Sequence, residues 1–195
     1  MSKKFDTLHK KAVEGDVQAQ FRLAALYYRG NGVNKDDTKA FEWFRRAALK
    51  GYSPAQYELG KCYRWGIGVT QNNRLALRFF KRAAAQGNAD AENRMGDIYE
   101  QGILLKRDYE KAKLWYLRAA SHGSISAFIT LEIHYGITPP DGVQMPIDYM
   151  KWRNLVKLYI GESPENPLDQ EKDSKGRTIK NGNISFSLCS PNLVI

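Results

Sequence analysis

Apolar and small residues recur along this chain in steps of three and four, and the blocks they form recur as well. Within residues 16–51, Ala19, Leu23, Ala24, Leu26 and Tyr27 fall on one face of a helix. The run Arg29-Gly30-Asn31-Gly32 should stop that helix, since Gly30 suits the left-handed position just past a helix end. Asp36 or Asp37 can cap a second helix by accepting from a free backbone N–H. That second helix buries Ala40, Trp43, Phe44, Ala47 and Ala48 and ends at Gly51. The whole block then repeats at a constant spacing of 36 residues. Gly15, Gly51, Gly87 and Gly123 are in register, as are Ala19, Ala55, Ala91 and Ala127, and Tyr27, Tyr63, Tyr99 and Tyr135. Self-similarity at this period predicts an all-α fold, an α/α solenoid of three and a half to four stacked helix-turn-helix repeats.

Taken in order, residues 3–14 read as a lone capping helix, because Leu8 and Ala12 occupy the places of Phe44 and Ala48 and an array must cover its first apolar face. Repeats follow at 16–51, 52–87, 88–123 and 124–160. The second carries Ala55, Leu59, Gly60 and Tyr63, then Ala76, Phe79, Phe80, Ala83 and Ala84. The third carries Ala91, Met95, Gly96 and Tyr99, then Ala112, Trp115, Tyr116, Ala119 and Ala120. Small residues facing large aromatics would let paired helices approach closely. The fourth keeps Ala127, Leu131 and Tyr135 but has Glu132 where Gly60 and Gly96 stand. Its connector is proline-rich and its second helix, about 147–159, is shifted by four residues, as befits a C-terminal cap. Residues 161–195 form a polar linker with Pro164 and Pro167, then a hairpin signal at Asn181-Gly182. A lone hairpin is marginal in water, so a mobile tail is the leading expectation.

Bulk composition adds little to this picture. The 195 residues are 43% hydrophobic, enough to fold. The formal charge is +9, which permits an anionic partner. The basic residues are spread out, with no block of five or six like charges. Cys62 and Cys189 are too few and too unlike to frame a disulfide scaffold. No apolar core follows Lys3 and Lys4, and no run of 18 apolar residues occurs. The expectation is a cytoplasmic chain without stable membrane insertion, though export by a specialised machine would leave no mark.

The pattern resembles the Sel-one-like repeat family, a relative of the tetratricopeptide repeat. The resemblance rests on Ala55, Leu59-Gly60, Tyr63, Gly66-Ile67-Gly68-Val69, Ala76, Ala83-Ala84 and Gly87, with Trp43 and Trp115 at the family's tryptophan and Phe79 in its place in repeat two. It covers about residues 5–135. Leu104-Leu105 departs from the Gly-Val of the connector. The resemblance implies a protein-interaction scaffold, often bacterial, in assembly, signalling, host interaction or toxin–immunity pairing. Some cysteine-rich members bind or hydrolyse β-lactams. Their cysteine pair per repeat is absent here, so that activity is not carried over.

No catalytic arrangement stands out. His9, His122 and His134 lie at unrelated repeat positions, and His134 beside Tyr135 reads as structural. The Gly30/Gly32 and Gly66/Gly68 pairs follow helices, so they are turn glycines and not a dinucleotide fingerprint. Paired carboxylates are expected to be chance neighbours on a solvated face. No cofactor, metal or nucleic acid is implied.

The informative positions are those that repeat in place but not in identity. In stacked helix pairs the first helices line the inner curve. Two before, two after and five after each core leucine stand Phe21, Ala25 and Tyr28; then Tyr57, Lys61 and Arg64, with Trp65 beside them; then Asn93, Asp97 and Glu100; then Ile129 and Ile133. The groove would grade from aromatic through basic to acidic and then apolar. Aromatic and arginine anchors dominate interface energies, and graded charge would orient a bound segment. Against this stands the reading that Phe21 and Tyr57 merely pack adjacent repeats. The second helices are basic outside the core, at Lys39, Arg45, Arg46 and Lys50, then Arg74, Arg78, Lys81 and Arg82. An acidic partner or membrane would use them, and an ordinary solvated face is the blander expectation. The favoured function is a non-catalytic adaptor holding a protein or peptide in the groove. The alternatives are an immunity protein that neutralises a toxin and, least favoured, a hydrolase.

Overall fold

The computed structural model describes residues 3–137. Within them the chain is a succession of eight helices joined by turns: α1 (Lys3–Glu14), α2 (Val17–Arg29), α3 (Asp37–Leu49), α4 (Ser53–Trp65), α5 (Asn73–Ala84), α6 (Ala89–Gln101), α7 (Tyr109–Ser121) and α8 (Ile125–Tyr135). Each helix packs on its neighbours in sequence, the nearest-neighbour stacking of a solenoid. The all-α solenoid read from the 36-residue period is the fold observed. The connector at Pro139, the helix at 147–159, the linker and the hairpin lie outside the described residues.

Helix boundaries follow local chemistry. Asp16, Asp36, Asn72, Asn88, Asp108 and Ser124 each accept from a backbone N–H three residues on, satisfying a donor the helix cannot. Asp36, not Asp37, takes that role in α3. First helices end at Gly30, Gly66, Gly102 and Gly136, all left-handed. The second-helix cap is tied back across each turn. Asp36, Asn72 and Asp108 donate their N–H to the carbonyls of Tyr27, Tyr63 and Tyr99 at 3.0, 2.8 and 3.0 Å.

Small residues set the helix spacing. A Cβ added at Gly60 would lie 2.6 Å from the Phe80 ring, and one at Gly96 2.5 Å from Tyr116 Cε1. Phe80 and Tyr116 are fully buried. Tyr63 meets Phe41 of the preceding repeat edge-on at 5.5 Å and stacks on Phe79 of its own repeat at 5.9 Å. The connector approaches closely as well. A Cβ at Gly68 would collide with the backbone carbonyl of Asp37 at the start of α3. Leu104 holds the matching place one repeat on, where it and Leu105 lie against the core formed by α5 and α6.

A second ladder, polar and buried, runs through the repeat junctions at positions 20, 56 and 92. Gln20 and Gln56 donate their amides to the carbonyls of Ala12 and Ala48, at 3.0 and 3.3 Å, near the end of the preceding second helix. The same carbonyls accept from the turn glycines Gly15 and Gly51 at 3.2 and 3.0 Å, so each glutamine adds a second donor at a helix end. Gln86 donates to Gln56 at 2.7 Å. In the third copy the pair changes chemistry: Glu92, buried, meets His122 Nδ1 at 2.7 Å.

Candidate functional site

The residues expected to line a groove fall into three groups. Phe21 is half-buried between Phe44 of its own repeat, at 5.6 Å, and Tyr52 of the next, at 5.4 Å. Tyr57 is half-buried on Phe80 at 5.9 Å. Both therefore do packing work, whatever their outer edges contact. Tyr28 is half-buried, with Lys35 Nζ 6.0 Å from its ring.

The second group meets at the junction of α4 and α6. Trp65, on the last turn of α4, is 50% exposed. The Arg94 guanidinium from α6 lies 5.5 Å from its ring centre, a cation–π contact. Arg94 also pairs with Asp97 at 2.8 Å. Lys61 pairs with Glu58 at 2.8 Å and sits 5.4 Å from the Tyr57 ring. Arg64 reaches across to Asn73 at 3.2 Å. Burial raises the Tyr57 phenol above its usual range, and the nearby charges of Arg94 and Lys61 pull it back by less. Sequence reasoning missed Arg94. The signal was present: Glu58/Lys61 and Arg94/Asp97 are opposite-charge pairs at the same three-residue spacing and repeat positions, with the signs exchanged.

The third group is acidic and is not the chance surface pairing expected from the sequence. Tyr116 rises from the core of α7, and its hydroxyl lies 3.0 Å from both Asp97 Oδ1 and Glu100 Oε2. One hydroxyl proton serves one carboxylate at a time. Glu100 also accepts from Tyr135 at 3.3 Å and contacts His134 Nδ1 at 3.0 Å. Burial pushes the Asp97 carboxyl above 3.8, with the charge of Glu100 a lesser push; Arg94 and Tyr116 pull it down. Burial, then Glu100, pushes the Tyr135 phenol up to about 12. Asn93, half-buried beside them, has a buried Oδ1 with no hydrogen-bond partner among the described residues. Ile129 and Ile133 are exposed on α8. Burial raises the Cys62 thiol to about 12, which makes it inert. Among the described residues no cluster of three metal-ligating side chains occurs. Nor is any helix there long and apolar enough to cross a membrane.

The repeat fold is similar to that of known structures. A Sel1 repeat protein from Oxalobacter formigenes is 37% identical; the likeness covers 67% of this chain and 98% of that one, with a TM-score of 0.60. Cysteine-rich protein B from Helicobacter pylori is 21% identical over 63% of this chain and 93% of its own, with a TM-score of 0.50, a likeness of fold alone. No curated protein matches the sequence. The Sel1 repeat model matches three times in succession, at residues 17–52, 53–88 and 89–124. Those three copies are the helix pairs α2–α3, α4–α5 and α6–α7, with their glycine-ended first helices and alanine-lined second helices. By repeat period, helix pairing and direct match, the chain belongs to the Sel1 repeat family.

Proposed function

We propose that this chain is a non-catalytic adaptor that holds a protein or peptide partner against the first-helix face of its central repeats. One observation carries the reading. Trp65 is half exposed at the junction of two repeats, with an arginine from the next repeat laid against its ring. Tryptophan and arginine are the residue types that carry most of the free energy in protein interfaces. Arg64, Lys61 and Tyr57 flank it, so a partner with an acidic segment fits beside the indole. Asp97 and Glu100 are hydrogen-bonded to Tyr116, which suits a fixed, polar boundary better than proton transfer.

The test is Trp65→Ala combined with Arg64→Ala. Neither side chain fills the core, so the circular dichroism spectrum and melting temperature should stay near the parent's. Cross-linked partners recovered from cells with the parent chain should be lost with the variant. Recovery of the same partners by both chains would refute this site.

A further inference from the structure

The second helices of the three matched repeats differ in one respect that packing does not explain. In α3, Asp37 lies in the first turn and Glu42 pairs with Arg45. In α7, Glu110 lies in the first turn and pairs with Lys113. The middle copy, α5, has no acidic residue at all. It carries Arg74, Arg78, Lys81 and Arg82, all exposed, and among the described residues none of the four is in an ion pair.

This arrangement costs the helix stability. Arg74 stands in the first turn, where the helix dipole favours negative charge. Arg74, Arg78 and Arg82 are spaced four apart, and like charges at that spacing repel. The sister helices carry acids at two of these places, Glu110 at that of Arg74 and Glu42 at that of Arg78, so the fold accepts them there. Arg82 is also held in place, its guanidinium 5.7 Å from the Phe79 ring centre. Arg46 on Trp43 and Arg118 on Trp115 repeat that stack on either side, at 4.4 and 5.3 Å. A guanidinium laid on a ring keeps its N–H edge open for carboxylate with less freedom to lose.

We propose that the exposed face of α5 docks an acidic helix of a partner protein. Residues four apart on a helix are separated by about 6 Å along its axis. Carboxylates at every fourth residue of the partner therefore match Arg74, Arg78 and Arg82 one for one, each able to accept a bidentate pair. A membrane is the poorer fit, because α5 exposes no large apolar side chain for insertion. Single-stranded nucleic acid is poorer too, because Phe79 beneath Arg82 is buried and offers no free face for stacking. The two surfaces adjoin where Arg64 bonds Asn73 at the start of α5, but no basic residue of α5 belongs to the Trp65 site, so the two proposals can fail separately.

The experiment uses the full chain and a fluorescently labelled alanine-based peptide with glutamate at every fourth residue. The controls are a scrambled peptide of equal charge, a short DNA duplex and phosphatidylserine vesicles. The in-register peptide should bind at least about tenfold more tightly than the scrambled one. Trp65→Ala should leave that affinity unchanged. Arg74→Glu with Arg78→Gln should weaken it by about tenfold or more while raising the melting temperature, since both changes relieve repulsion. Equal affinity for the two peptides, tighter binding to duplex or vesicles, or unchanged peptide affinity in the double variant would each overturn the proposal.

Discussion

Gly96 and the ring of Tyr116 are in such close contact that a single added methyl carbon at position 96 would lie 2.5 Å from Tyr116 Cε1. Tyr116 is wholly buried and its hydroxyl is fixed by Asp97 and Glu100. It has little room to give. Gly96→Ala should therefore cost about 1–3 kcal/mol by overpacking, against about 0.5–1 kcal/mol regained from helix propensity. The expected net effect is a loss of about 1–2 kcal/mol, read from the urea denaturation midpoint. A gain in stability would mean that the spacing of α6 and α7 is not set by this contact.

Glu92 and His122 hold the place that Gln56 and Gln86 hold one repeat earlier. Glu92 is buried and His122 lies at the surface. Replacing a buried charged group and its partner with a neutral pair of similar size is often neutral or stabilising, whereas removing one partner is costly. Glu92→Gln with His122→Gln copies the repeat-two solution and should stay within about 1 kcal/mol of the parent. His122→Ala alone leaves a buried carboxylate one partner short, and should cost about 1–3 kcal/mol at neutral pH. If the double variant is the less stable of the two, the two junctions are not interchangeable.

Asp97 gives stability a defined pH dependence. Its folded pKa lies above 3.8, mainly through burial. A carboxyl of this kind favours folding where it is protonated; its contribution is full below the unfolded pKa and is lost as pH rises through the folded one. Asp97→Asn removes the titration. The stability of the variant relative to the parent should therefore rise as pH increases from about 4 and level off above the folded pKa. Urea midpoints of both chains across that range test the sign; a falling difference would show that Arg94 and Tyr116 outweigh burial.

Much of this fold is legible in the sequence because each repeat restates the same local rules. Ala19, Leu23 and Ala24, then Ala40, Phe44, Ala47 and Ala48, lie at helical spacing and are buried as that spacing predicts. Gly30 and Gly66 end helices because the left-handed turn penalises a side chain. The small residues at Gly60 and Gly96 announce close approach before any partner is known. Once the period is seen, the partner is found one helix later.

The candidate site is less legible, because contacts between repeats obey no local rule. Phe21 and Tyr57 sit at groove positions, yet only packing shows how far Phe44 and Phe80 cover them. Arg94 is one arginine among many until α6 brings it over Trp65. Asp97 and Glu100 read as surface acids until Tyr116 reaches them from the next helix.

The sequence by itself determined the period, the helix ends and the inward faces, since these follow from spacing and backbone chemistry within some forty residues. The tertiary structure alone decided which charged groups meet a partner from another helix. It lays Arg94 on Trp65, brings Asp97 and Glu100 to the Tyr116 hydroxyl, and leaves Arg74, Arg78, Lys81 and Arg82 facing outward without acids among the described residues. The physical reason is range. A turn or a cap is fixed by neighbours in the chain, whereas a side-chain charge is answered by whatever the stacking of the next repeat sets beside it.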